Sequence, residues 1–419
     1  MIRGILLLIR RSLRQHFLST TITVLSVAMA CGLTMAIFGI ERQAREAFIG
    51  GRIGWDAVLG ARGSQLQLVL NAVYFLEASP GNIPWSMYQH LKHNTPGVRL
   101  AVPYAMGDNY LGYRIVGTTS EMFDEYRDRD GIPYQTTEGR FFDPGYMEAV
   151  VGSFAAARTG LRIGDEFQPY HGLDFDPNAA HAERYTVVGI LEPTNTPADR
   201  VLWIPIEGVF RMEGHVLRGT GEEYTPEAGV EIPDEHKEVS AVMLQLTSPT
   251  VGWNLNQTVN RQGTVATFAH PIGAVMADLF EKLGFASQIL RVVAYLVMAV
   301  SIAAILASIY NTMNERRREI AILRALGARR LTICAAVIGE AAAIGVMGAL
   351  LAVPVYTAIV TAAASVAREQ TGVVLEAARM HPALVAVPVG AVALAALSGV
   401  VPAIRAYRVD VAENLTPHS

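Results

Sequence analysis

From Leu18 to Ile40 the chain runs for 23 residues without a charged side chain. At 1.5 Å per residue, a helix of that length crosses a hydrocarbon slab of about 30 Å. The run therefore predicts a membrane span at residues 18–40, and three more apolar segments predict spans at 286–310, 331–364 and 382–401. Ahead of the first span, in the segment 1–17, residues 2–17 place Ile2, Ile5, Leu6, Ile9, Leu13 and Phe17 on one helical face. Arg3, Arg10, Arg11 and Arg14 gather beside them, the pattern of an amphipathic helix lying at the membrane interface.

Two other readings of the N-terminus fit less well. A cleaved signal peptide has a shorter apolar core and a small-x-small site at its end, whereas this run ends Phe38-Gly39-Ile40-Glu41. Ala28-Met29-Ala30-Cys31 has the outline of a lipoprotein cleavage box, but alanine stands where a large aliphatic residue belongs. Cys31 and Cys334 are the chain's two cysteines and both fall in or beside apolar runs, so free buried thiols are expected, a bridge between two membrane helices being the alternative.

Charge separates along the chain as membrane topology requires. Residues 41–287 hold 19 Lys+Arg against 31 Asp+Glu, a balance of −12, while the whole chain stands at −4. Arginines cluster at three places: four before the first span, six between Asn314 and Arg330, and Arg405 with Arg408 after the last span. Positive charge marks the cytoplasmic side, which puts both termini inside and the acidic insert outside.

That insert, 41–285, reads as a soluble α/β domain. Strands are expected at Asp56–Leu59, Arg114–Gly117, Ala149–Val151, Tyr185–Leu191, Val201–Ile204 and Val239–Leu246, and helices at Pro84–His93, Phe154–Gly160 and Val251–Arg261. Residues 219–237 form a surface loop rich in Glu, Pro and Gly. Residues 60–82 carry an apolar stripe that is either a core helix or a docking face, core being the commoner outcome. From Pro271 a helical stalk is expected to run into the second span. Between the second and third spans, residues 311–330 form a short charged helix in which Glu315 lies three residues before Arg318. Gly327 stands where a C-terminal cap needs positive φ.

Asn314-Glu315-Arg316-Arg317-Arg318-Glu319-Ile320-Ala321-Ile322-Leu323-Arg324-Ala325-Leu326-Gly327-Ala328, set among these spans, resembles the cytoplasmic loop of the FtsX/MacB-like permeases of ABC transporters. The tail from Pro402 through Tyr407-Arg408-Val409-Asp410 to Leu415 is similar to that family's C-terminal signature. In the insert, Gly117-Thr118, Glu138-Gly139-Arg140-Phe141-Phe142, Val151-Gly152-Ser153, Gly160 to Asp165 and Tyr185 to Leu191 look like its periplasmic core domain. The resemblance implies four transmembrane helices with an α/β MacB-type domain inserted between the first two. It further implies a bacterial inner-membrane location, a dimer of permease chains, and a cytoplasmic ABC ATPase that binds Asn314 to Gly327. ATP and Mg would be held by that partner. Gly345, Gly348 and Ala349 are small enough to let helices approach closely in such a dimer.

The chain itself has three lysines, none after a glycine, so it contains no P-loop and is not expected to hydrolyse ATP alone. There is no Gly-x-Ser-x-Gly elbow and no His-Glu-x-x-His pair. Glu340, about nine residues into the third span, is an ionisable group at membrane depth; it is either functional or hydrogen-bonded across helices near the interface. His171, Asp174, Asp176, His181 and Glu183 offer nitrogen and oxygen ligands of the kind a transition metal takes. Their spacing matches no established metal motif, and a solvated polar loop is the plainer reading. The same holds for Glu235, His236 and Glu238.

The function expected from the resemblance is the membrane subunit of an ABC system working by export, lipoprotein extraction or mechanotransmission. A periplasmic adaptor, lipoprotein or hydrolase would be a further partner, beside membrane lipids; nucleic acid is not expected. The alternatives are a regulatory scaffold for a cell-wall hydrolase or sensor, and a part of a metal-handling system.

Overall fold

The computed structural model describes residues 2–171, 180–213 and 215–407. Two helices open the chain, α1 (Ile2–Gln15) and α2 (Phe17–Ile49). Then come β1 (Ala57–Ala61), α3 (Gln65–Ala72), β2 (Ile83–Pro84), α4 (Trp85–Asn94), β3 (Val98–Tyr110) and β4 (Tyr113–Thr118). Next are α5 (Glu121–Asp124), β5 (Thr136–Gly139), β6 (Glu148–Val151), α6 (Ser153–Thr159), β7 (Glu166–Phe167), β8 (Tyr170–His171) and β9 (Tyr185–Leu191). The α/β part ends with β10 (Leu202–Pro205), α7 (Ile206–Arg211), β11 (Glu238–Val239), β12 (Ala241–Leu246), α8 (Pro249–Asn256) and β13 (Ala266–Ala269). The remainder is helical: α9 (Ile272–Lys282), α10 (Gly284–Glu315), α11 (Arg317–Ala325), α12 (Arg330–Thr371), α13 (Ala383–Ser398) and α14 (Val400–Tyr407).

The chain divides into two compact units, residues 45–282 with 366–374 and the rest. In the α/β unit, eleven of the described strands form one mixed sheet in the order β13-β1-β12-β3-β4-β10-β6-β9-β5, with β7 on β9 and β8 on β3. Strand alternation sorts side chains onto two buried faces. Ala57 and Leu59 of β1, Val242 and Leu244 of β12, and Leu202 and Ile204 of β10 join Tyr88 and Leu91 of α4 and Val209 and Phe210 of α7. Val58, Met243 and Trp203 turn the other way, onto Leu68 and Val69 of α3, Met122 and Phe123 of α5, and Ile272 and Met276 of α9. A sheet covered on both faces needs no outside partner to bury its apolar side chains. The stripe at 60–82 is thus core: Leu68, Val69 and Ala72 are buried.

Several boundaries differ from the sequence reading. The run Val239–Leu246 is two strands parted at Ser240, whose Oγ donates to Asn82 Oδ1 at 3.1 Å. The helix expected at Val251–Arg261 starts earlier, at Pro249, and its last turn, Gln257–Gln262, widens into a π-type turn. β3, the longest strand, was not expected, because Pro103 and Gly107 interrupt its pattern. At Pro103 the strand pairs with Val242 of β12, and its pairing with β4 begins only at Ala105, so a residue without an N–H is tolerated there.

The other unit contains four described helices long and apolar enough to cross a membrane: α2, α10, α12 and the α13–α14 segment. Val24, Val27, Cys31 and Met35 of α2 pack with Ile305 and Ile309 of α10, Val337 and Ile344 of α12, and Ala391 and Ala395 of α13. Cys31 is a buried free thiol; Cys334 is also free but only half-buried, its Sγ donating to the Ala403 carbonyl at 3.3 Å. A methyl on Gly348 would meet Val27 Cγ1 at 2.5 Å, and one on Gly345 would meet Ala395 Cβ at 2.7 Å. These glycines serve packing within the chain, so the expectation that they supply a dimer face is withdrawn. The first span continues as helix to Ile49 and the third to Thr371. α9 ends at Lys282 and α10 begins at Gly284, with one residue between them, Leu283, at φ −78° and ψ −6°.

Candidate functional site

Two places bring chemistry-bearing residues together. The first is the arginine-rich turn. Asn314 and Glu315 belong to the end of α10, and Arg316, at φ −99° and ψ 12°, breaks the helix before α11. The break redistributes the expected charges. Glu315 sits 3.2 Å from His16 Nδ1 rather than on Arg318, and Arg316 Nε donates to Glu319 Oε2 at 3.0 Å. At the far end Gly327 adopts φ +94°. The Gly327 N–H donates to the Arg324 carbonyl and the Ala328 N–H to the Leu323 carbonyl, both at 3.0 Å. That double bond pattern satisfies the last carbonyls of α11 and stops it sharply.

α11 buries one face and shows another. Ile320 and Ala321 are buried, Ile320 against Ile333 and Met313. Leu323 is half-buried, and Arg317, Arg318 and Glu319 are exposed. Ile322 and Leu326, one turn apart, are 42% and 80% exposed. Two large aliphatic side chains held outward on a capped helix make an apolar ridge rimmed by arginine. Nearby, Glu340 Oε1 of α12 accepts a 2.6 Å hydrogen bond from Ser12 Oγ of α1, the cross-helix partner that one sequence reading anticipated.

The second place lies in the α/β unit. Asp108 stands on β3 between Met106 and Asn109, where the register with β4 shifts. Directly across from it, β8 supplies His171. His181 comes back to the same spot because Ala180 bridges Tyr170 and the His181 N–H donates to the Pro169 carbonyl at 2.9 Å. Beyond α7, His215 closes the group, its N–H on the Met212 carbonyl. His171 Nδ1 lies 2.9 Å from Asp108 Oδ1, His181 Nε2 3.2 Å from the same oxygen, and His215 Nε2 3.2 Å from Oδ2. All four donor atoms fall within 4.8 Å of one another. The Asp108 and His181 side chains are 2% and 3% exposed, and that of His171 is 48% exposed.

Burial pushes the Asp108 carboxyl up, but the His181 and His215 imidazoles beside it outweigh that and hold the group well below the usual carboxylate range. A carbonyl oxygen accepts from His181 Nδ1 at 2.8 Å, that of Glu213. Since a carbonyl cannot donate, Nδ1 carries the proton and Nε2 is the atom turned toward Asp108. Glu183 stands one step back: its Oε1 accepts from the Glu213 N–H at 3.2 Å and so fixes the turn that orients His181. Of the residues the sequence singled out, His171 and His181 meet, while Asp174 and Asp176 lie outside the described residues. Asp108 and His215 were missed, for they are far away in sequence and no spacing links them. His236, the other histidine noted, stacks on Tyr224 with ring centres 4.4 Å apart, and the nearest Glu235 oxygen is 3.8 Å away.

A bundle of apolar helices carrying a two-faced α/β insert defines a polytopic membrane protein with one large extramembranous domain. Residues 17–264 match the MacB-like periplasmic core domain, and residues 291–411 match the FtsX-like permease C-terminal region. The chain belongs to the FtsX/MacB-like family of ABC transporter permeases, and its α/β unit is the periplasmic domain. A comparison with curated proteins gives no match. The tail from Arg408 onward, which carries part of the C-terminal resemblance, lies outside the described residues.

Proposed function

We propose that this chain is the membrane subunit through which a separate cytoplasmic ATPase drives motion of the periplasmic domain. The observation that carries the reading is the outward ridge of Ile322 and Leu326 on α11, a helix capped at its C-terminal end and joined directly to α10 and α12. An exposed aliphatic pair costs nothing to keep if another protein covers it, and arginines around it fit an acidic rim on that partner. In this reading both termini lie in the cytoplasm of a bacterium, the spans cross its cytoplasmic membrane, and two permease copies meet two ATPase subunits. ATP and Mg belong to the ATPase in this reading, which the lack of a P-loop in this sequence supports.

The test is Ile322→Asp and Leu326→Asp in the full chain, co-expressed with the ATPase of its own system. Both side chains face solvent, so folding and membrane insertion are expected to match the parent. Co-purification of the ATPase should fall at least tenfold, as expected when a charge is buried at the centre of an interface. Undiminished co-purification and undiminished ATP turnover in both variants would show that α11 is only a solvated connection.

A further inference from the structure

We propose that Asp108, His171, His181 and His215 bind one divalent transition-metal ion of the zinc class in a four-coordinate site of the periplasmic domain. The donor set is three imidazole nitrogens and one carboxylate oxygen. Hard, all-oxygen cations such as calcium and magnesium prefer other ligands, and the absence of a thiolate disfavours copper(I); three nitrogens and one oxygen suit Zn²⁺, Co²⁺ or Ni²⁺. In a tetrahedral zinc site with bonds of about 2.0–2.2 Å, neighbouring ligand atoms stand roughly 3.3–3.6 Å apart. The three nitrogens already lie 2.9–3.2 Å from the Asp108 oxygens, close to that spacing.

Two further details point to an ion rather than to a plain hydrogen-bonded cluster. His181 gives its Nδ1 proton to the Glu213 carbonyl, and a ligand histidine orients itself by this kind of bond, leaving the Nε2 lone pair for the metal. His215 Nε2 is buried and lies 3.2 Å from Oδ2, yet makes no aligned hydrogen bond among the described residues. A nitrogen and a carboxylate oxygen at that separation can both bond one ion. Among the described residues of the site, His171, on the short strand β8, is the most exposed. With four protein ligands the site is closed, so the ion would pin β3, β8 and the turn after α7 together rather than activate water.

The experiment uses the full chain in detergent, carrying no polyhistidine tag, with Zn²⁺ and Co²⁺ alone as probes. After chelator treatment and dialysis, titration with Zn²⁺ against a chromogenic chelator should reveal one saturable ion per chain. Co²⁺ should give the strong visible absorption of a tetrahedral nitrogen–oxygen site. His181→Ala and His215→Ala should each weaken Zn²⁺ binding at least about tenfold, since even the loss of a supporting group costs 10- to 100-fold. His171→Ala, at a half-exposed position, should do the same without disturbing the fold, which covers the case in which the buried variants fail to fold. His90→Ala, away from the cluster on α4, should leave binding unchanged. Absence of one-to-one binding in the parent, or parent-like binding by a folded His171→Ala, would mean that three imidazoles merely hydrogen-bond the carboxylate, and the proposal fails.

Discussion

Lys92 Nζ lies 2.6 Å from Glu121 Oε1 and 2.9 Å from the Tyr88 hydroxyl, tying α4 to α5 at the border of the sheet. Burial pushes the Glu121 carboxyl up, but the hydrogen bond from Lys92 and its charge prevail, and the group sits below its ordinary 4.5. A carboxyl depressed on folding stabilises above its unfolded value and loses that contribution as pH falls through its folded one. Glu121→Gln should therefore cost roughly 1 kcal/mol near neutral pH, discounted for partial exposure, and the gap to the parent should narrow as pH falls below about 4.5. Thermal midpoints of the two chains across that range check it; a gap independent of pH would contradict the ion pair. The same scale explains what the sequence hid. Residues brought together across separate elements leave no periodic trace, and Asp108 with His215 is the sharper instance.

Elements were far more legible. Twenty charge-free residues have few fates, so all four spans were placed, and each of the six strands expected from alternation is present, one of them split in two. What failed were junctions, where local preference yields to packing. β3 keeps its extended form through Pro103 because β12 lies beside it, and α9 parts from α10 although the sequence reads as one helix. The close crossing of α2 with α12 is likewise invisible until both helices are in place. There Gly348 leaves no room: Gly348→Leu should force the helices apart and lower stability by about 1–3 kcal/mol, whereas Gly390→Leu, with nothing within 4 Å of its added carbon, should be nearly neutral. Comparing thermal unfolding of the two variants in detergent decides whether that crossing is as tight as described.

At the scale of the molecule, residues 366–374 at the end of α12 and just beyond it belong to the periplasmic unit while the rest of α12 belongs to the membrane unit. Glu369 pairs with Arg158, the Arg368 guanidinium lies 5.2 Å from the Phe154 ring centre, and Arg200 donates to the Gln370 carbonyl. Exposed pairs of this kind add under about 1 kcal/mol, so Glu369→Ala with Arg368→Ala should spare the fold. If α12 transmits motion, the double variant should keep its ATPase and ATP turnover yet show a smaller nucleotide-dependent change in distance between spin labels on paired periplasmic domains. Parent-like label motion would place transmission elsewhere.

The unbroken course of α2 from Phe17 to Ile49 has a consequence of its own, because a continuous helix carries angle as well as height along its own length. Each residue added to such a rod turns whatever follows by about 100° and raises it by about 1.5 Å. Seven added residues would bring the heading back to within about 20° while adding roughly 10 Å of length. Angular register is thus written into the length of α2 itself, as it is into α9 and α10, each counted from its own first residue.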